Sequence, residues 1–213
     1  MVWKHLLADD ATTILGVSGS ASQAAIARSK TEGHEDVDVV HGDAVSYLSS
    51  TPLPNLAAVL SLDADYHFNT RAAFAAHAFT ALDPDAGGVY AIAGLFPGTP
   101  LSSLPWWKRI TLSALLLCAG VPLSNFDRDM DAYASFLETE VGYVDVSVED
   151  ISHRVFPGFA AFMETTQARG ASLPGVWNMG SLAKYRMASR IFLWGYTSGF
   201  LRFALVAGHK PPS

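Results

Sequence analysis

The sequence predicts an α/β fold in which one parallel sheet carries helices on both faces. Three observations carry this expectation. Strand-like and helix-like patterns alternate through the first hundred residues. Two of the strand patterns, LAAVLSLD at 56–63 and VYAIAGLF at 89–96, are apolar almost without interruption, as strands buried on both faces of a parallel sheet are. The 213 residues are half apolar and only 16% charged, which suits one well-buried domain spanning 1–213.

The elements follow in order. TTILGVS at 12–18 is a short β-rich run. SQAAIARSK at 22–30 is helical, with Ser20 or Ser22 placed to cap it. DVDVVHGD at 36–43 alternates and stops at Gly42, and AVSYLSS at 44–50 is a short helix. TRAAFAAHAFTALD at 70–83 is a helix with an apolar face at Phe74, Ala78 and Leu82. PDAGG at 84–88 is the turn into the next buried strand. Strands separated by helices of this length argue for βαβ units and one parallel sheet. Beyond residue 100 the rhythm changes. SSLPWWKRITLSALLLCAG at 102–120 and RDMDAYASFLETEVG at 128–142 read as consecutive helices. YVDVSVEDIS at 143–152 alternates strictly, as a half-buried strand does. FPGFAAFMETTQARG at 156–170 and GSLAKYRMASRIFLWGY at 180–196 are helical, and FLRFALVAGHK at 200–210 is a closing strand.

Composition excludes several functions. A net charge of −6 without a Lys/Arg cluster argues against a nucleic-acid groove. The single cysteine, Cys118, cannot form an internal disulfide, and no Cys/His spacing for a metal is present. Cys118 reads as a small buried hydrophobe. The start of the chain lacks the apolar core of a secretory signal. ITLSALLLCAGVPL at 110–123 is shorter than the about 20 residues a bilayer span takes. IFLWGYTSGFLRFALVAG at 191–208 is broken by Gly195, Gly199 and Arg202. The expectation is a soluble, cytoplasmic protein without a transmembrane span.

Three segments carry a family resemblance: GVSGSASQAAIAR at 16–28, VHGDAVSYL at 40–48 and the long passage from Ala57 to Ala93. Their order and wording resemble class I S-adenosylmethionine-dependent methyltransferases of the small-molecule group. The last segment is the most specific. An apolar strand ends in Leu-Asp, followed by Tyr-His-Phe, a helix, and a Pro…Gly-Gly turn into another strand. The resemblance implies a Rossmann-like sheet covering residues 10–210. It also implies substrate-side helical elements at about 101–142 and 153–198. Gly16 and Gly19 are spaced G-x-x-G, not G-x-G-x-x-G, so they make a weak phosphate loop. In the family this text belongs to the second strand. Only 13 residues precede Ile14, whereas a strand, a glycine turn and a helix need roughly 25 to 30. The domain is therefore expected to be N-terminally incomplete, with VWKHLL as the tail of the missing crossover helix and the remainder encoded before Met1.

The resemblance implies S-adenosylmethionine as cofactor and a small organic methyl acceptor as substrate. It places Ser18 where the family carries a ribose-binding acid, and a serine makes the weaker contact. Gly42, Asp43 and Ala44 fall at the adenine, although Asp43 could equally be a helix N-cap. Leu62 and Asp63 would lie along the cofactor at the carboxyl end of a strand, where open α/β sheets bind ligands. His67 is the candidate base for the acceptor's proton. Its usual acidic partner on the next strand is replaced by Gly94. Tyr66, Trp106, Trp107 and Phe156 are candidate walls for an apolar substrate or, equally, packing residues. Lys184, Arg186 and Arg190 suit a peripheral membrane contact or an ordinary solvated helix face. Two alternatives stand beside methyl transfer. One is a non-catalytic or truncated relative with an interaction role. The other is a hydrolase using Ser18 or Ser20 with His67, which lacks the G-x-S-x-G elbow.

Overall fold

The computed structural model describes residues 13–53, 55–168 and 179–212. The expected helix tail VWKHLL lies outside them. Two compact units are present, 1–53 and 54–213.

The first unit is a two-stranded parallel sheet with two helices. Strand β1 (Ile14–Ser18) pairs with β2 (Val37–His41) in a register that sets Ser18 opposite His41. Helix α1 (Ala21–Thr31) connects them. Of the two candidate caps it is Ser20 that accepts from the Gln23 N–H, satisfying one of the free donors of the first turn. Arg28 Nε donates to the Val39 carbonyl at 2.6 Å and ties α1 to β2. Helix α2 (Ala44–Ser50) follows, capped by Asp43.

The second unit holds a four-stranded mixed sheet in the order β3-β4-β6-β5. Strands β3 (Ala58–Leu62) and β4 (Val89–Pro97) are parallel, joined through helix α3 (Arg71–Ala81). The apolar face read from sequence is the buried one, with Phe74, Ala78 and Leu82 all in the core. Helices α4 (Trp106–Cys118) and α5 (Met130–Phe136) come next, and a single π-helical stretch, Leu137–Val141, extends α5 to Gly142. Strand β5 (Val144–Asp150), helix α6 (Ser152–Ala168), helix α7 (Met179–Thr197) and strand β6 (Leu201–His209) complete the unit. The expectation of one parallel sheet is corrected on two counts. Among the described residues β1 and β3 each form a ladder on one edge only and belong to separate sheets. β6 runs antiparallel between β4 and β5. β5 is an edge strand with a bulge between Val144 and Ser147, where Asp145 adopts a left-handed φ of 52°.

One apolar core lies where Phe74, Tyr90, Phe96, Tyr133 and Tyr143 meet, and the Tyr90 and Tyr133 hydroxyls share a hydrogen bond at 2.8 Å. A second cluster gathers Leu95, Leu112, Leu116, Phe126, Phe156 and Phe203 under α4 and α6. No helix among the described residues is long and apolar enough to cross a membrane.

Candidate functional site

The carboxyl end of β3 turns sharply. Asp63 takes a left-handed φ of 53°, uncommon for a residue with a side chain. Its N–H donates to the Ala93 carbonyl at 2.7 Å, holding the turn against β4. A 3₁₀ turn, Asp65–His67, follows. Tyr66 is buried and its hydroxyl donates to Asp63 Oδ1 at 2.7 Å. Burial and that acceptor push the Tyr66 phenol well above its usual range, so it stays protonated and works as a fixed donor. His67, beside it with ring centroids 4.5 Å apart, is exposed.

His67 Nδ1 lies 3.2 Å from the Gly120 carbonyl oxygen. A carbonyl only accepts, so Nδ1 is the donor, and in the neutral ring the lone pair lies on Nε2. Gly120 has φ +70° and closes α4 in a glycine C-cap, with Val121 N–H donating back to Leu116. The group that orients the histidine is therefore a backbone carbonyl and not a carboxylate on β4.

A polar frame lies beneath the turn. Asn125, in the 3₁₀ turn Leu123–Phe126, donates from Nδ2 to the Tyr66 and Phe68 carbonyls at 3.1 and 2.8 Å. Its Oδ1 accepts from the Arg71 N–H at 2.8 Å. Asp65 is fully buried and pairs with the equally buried Arg71 at 2.5 Å. Arg71 also donates to the Leu95 carbonyl at 2.6 Å, and its guanidinium sits 4.2 Å over the Phe96 ring. Burial pushes the Asp65 carboxyl above its usual range, and the Arg71 charge works against that rise. Gly94 is what makes room: a Cβ there would stand 2.8 Å from Asp65 Cγ. The carboxylate absent from position 94 is thus present in the same space, delivered from residue 65. A cavity of about 220 Å³ opens at the start of α3 beside Thr70, Arg71, Asn125 and Tyr133.

In the first unit, the strand ends bring Ser18, Gly42 and Asp43 together, and the Gly42 N–H donates to the Ser18 carbonyl at 3.0 Å. Ser18 Oγ is occupied within its own turn, accepting from the Ser20 N–H at 3.3 Å. Asp43 is exposed and accepts from Ser46 N–H at 2.8 Å. Ala44, as the first helical residue, has an N–H without an intrahelical acceptor. In the second unit, Leu62 and Asp63 are exposed at the strand end. Trp106 and Trp107 are exposed on the first turn of α4. Phe156 is buried and stacks on Tyr196 at 5.4 Å, in the same apolar cluster as Tyr66. Sequence reasoning missed Asp65, Arg71, Gly120 and Asn125. Only Gly120 carried a signal, as a glycine ending an apolar helix just before Val-Pro.

No protein-family model and no curated protein sequence matches this chain. Solved structures do. Phosphoethanolamine N-methyltransferase 2 of Haemonchus contortus, bound to phosphomonomethylethanolamine and S-adenosylhomocysteine, superposes on 93% of the chain with a TM-score of 0.76. The chain has the fold of small-molecule S-adenosylmethionine-dependent methyltransferases. This methyltransferase fold is shared at 17% identity, and the chain spans 43% of that protein's length. Geranyl diphosphate C-methyltransferase of Streptomyces coelicolor matches over 99% of the chain and 66% of its own, with a TM-score of 0.64 at 15% identity. The same methyltransferase fold occurs in a cyclase, SpnF, at a TM-score of 0.66, 18% identity, and coverage of 98% and 71%.

Proposed function

We propose that the chain transfers a methyl group from S-adenosylmethionine to a small organic acceptor, with His67 receiving the acceptor's proton. The observation that carries this reading is the exposed His67 at the end of β3, with Nδ1 held by the Gly120 carbonyl and Nε2 free. When bound, the cofactor supplies an electrophilic methyl carbon on a sulfonium. Asp43, with the Ala44 N–H beside it, suits an adenine amino group and ring nitrogen. Ser18 suits a ribose hydroxyl poorly, since its Oγ is engaged in the β1 turn. Gly42, Leu62 and Asp63 are the remaining candidate contacts. Tyr66 holds Asp63 in place, and Asn125 holds the backbone on both sides of His67. Transfer of this kind depends mainly on alignment of donor and acceptor, which a rigid turn supplies.

Cofactor binding is expected to be weak, and Ser18→Asp to tighten it about tenfold, because a carboxylate makes the stronger, charge-assisted bonds to ribose. Calorimetric titration reads the dissociation constant, and methyl-labelled cofactor with hydroxyl and amine acceptors reads transfer. An unchanged or weaker constant in Ser18→Asp would remove Ser18 from the ribose site. Absence of both binding and transfer would overturn the enzymatic reading. A second reading, a methyltransferase-like protein with another role, is favoured by SpnF, a cyclase on this fold.

A further inference from the structure

Helix α4 has two apolar faces. Leu112 and Leu116 are buried against the core, while Trp106, Trp107, Ile110 and Leu117 are each more than half exposed. At about 100° per residue these four, with Ala114 among them, fall in one sector of about 100°. An exposed apolar stripe of this size on a helix marks a surface made to be covered. Lys108 and Arg109 lie on either side of the exposed sector. The Lys108 ammonium sits 5.3 Å over the Trp107 ring and 5.2 Å over Phe200. Phe200 in turn packs on Trp194 of α7 at 5.4 Å. Trp194, Arg190 and Met187 are exposed at helical spacing on α7. The apolar surface therefore continues from α4 to the end of α7.

Charge is segregated along the chain to match. Residues 86–126 and 165–213 contain no Asp or Glu, yet hold eight of the fourteen Lys and Arg residues. All twenty acids lie elsewhere, in a protein of net charge −6. On the face itself, α4 contributes Lys108 and Arg109 and α7 contributes Arg186 and Arg190, and neither helix contains an acid to repel a negative surface.

We propose that the face formed by α4 and the C-terminal half of α7 docks on an anionic lipid surface. Tryptophans enriched at a water–hydrocarbon boundary, an apolar stripe laid in the plane of that boundary, and cations at its borders with stems along the apolar surface are what an interfacial helix needs. A second copy of the chain or a protein partner could cover an apolar stripe as well. The cations of two acid-free helices beside the stripe select the lipid surface, because a partner protein carries no comparable fixed sheet of negative charge.

The test is flotation of the full chain with vesicles of phosphatidylcholine alone, or with about a third phosphatidylserine. The expected result is binding to the phosphatidylserine vesicles, at least about tenfold weaker without the anionic lipid and weakened by salt. The triple variant Trp106→Ser, Ile110→Ser, Leu117→Ser is expected to lose about tenfold or more in partitioning. All three side chains are exposed, and circular dichroism checks that the fold is kept. Lys108→Gln with Arg109→Gln is expected to abolish the preference for anionic vesicles. Equal binding by the wild type and both variants would overturn the proposal. So would an absence of vesicle binding together with self-association that the triple variant loses, which would assign the stripe to a second copy. Vesicle binding is read without turnover, so its failure leaves the methyl-transfer reading untouched, and the reverse holds.

Discussion

Arg71→Met is expected to lower the unfolding free energy by about 3–5 kcal/mol, the cost of leaving one member of a buried ion pair without its partner. Asp65 and Arg71 are both almost fully inaccessible. The guanidinium neutralises Asp65, donates to the Leu95 carbonyl and covers the Phe96 ring. Methionine keeps much of the side-chain volume and none of the charge. The loss should be smaller in the double variant Arg71→Met with Asp65→Ala, because no uncompensated charge then remains. The pH dependence follows from the direction of the Asp65 shift. Burial already raises this carboxyl, and removing Arg71 raises it further. A carboxyl raised in the folded state contributes stability on the acid side and loses it as pH rises through the folded value. The deficit of Arg71→Met should therefore shrink on acidification. Urea unfolding at neutral and mildly acid pH measures both effects, and a deficit that the double variant does not reduce would show that the ion pair is not its source.

His67→Ala is expected to lower turnover by about 10²- to 10⁴-fold, with a smaller effect on KM. A base acts chiefly on the transition state, so its loss appears in kcat. The Gly120 carbonyl is a lesser orienting group than a carboxylate, but it specifies the tautomer in the same way. An acid placed at position 94 would find no room, because Asp65 already fills the space beside Gly94. Turnover unchanged in His67→Ala would leave the residue with its structural hydrogen bond to Gly120 alone.

The alternating strands and helices were legible because their apolar periodicities are strong. AVSYLSS at 44–50 coincides with α2, and Phe74, Ala78 and Leu82 face the core as their spacing requires. The end of β3 was legible because a strand's apolar run stops at Asp63. The frame under it was not. Asp65 and Arg71 look like turn and first-turn charges that water would solvate, and only the fold brings them together over Gly94. Asn125 lies more than fifty residues from the backbone it clamps, and no local pattern encodes such a bond. Direction of strand pairing was also beyond periodicity. The closing strand reads the same whether it runs with β4 or, as found, against it.

The two outer strands of the larger sheet differ in how they resist unwanted partners. β5 carries Asp145, Glu149 and Asp150 and a bulge, each of which discourages a stranger from adding to the ladder. β3 reads Ala-Val-Leu-Ser-Leu, without charge, proline or bulge, and Leu60 and Leu62 are exposed along it. Its backbone pairs with β4 on one side only among the described residues. Such an edge is a template for aggregation. Light scattering of the isolated chain should therefore rise with protein concentration. A lysine at Leu60, which is solvent-facing, should suppress that rise while leaving the β3–β4 ladder intact.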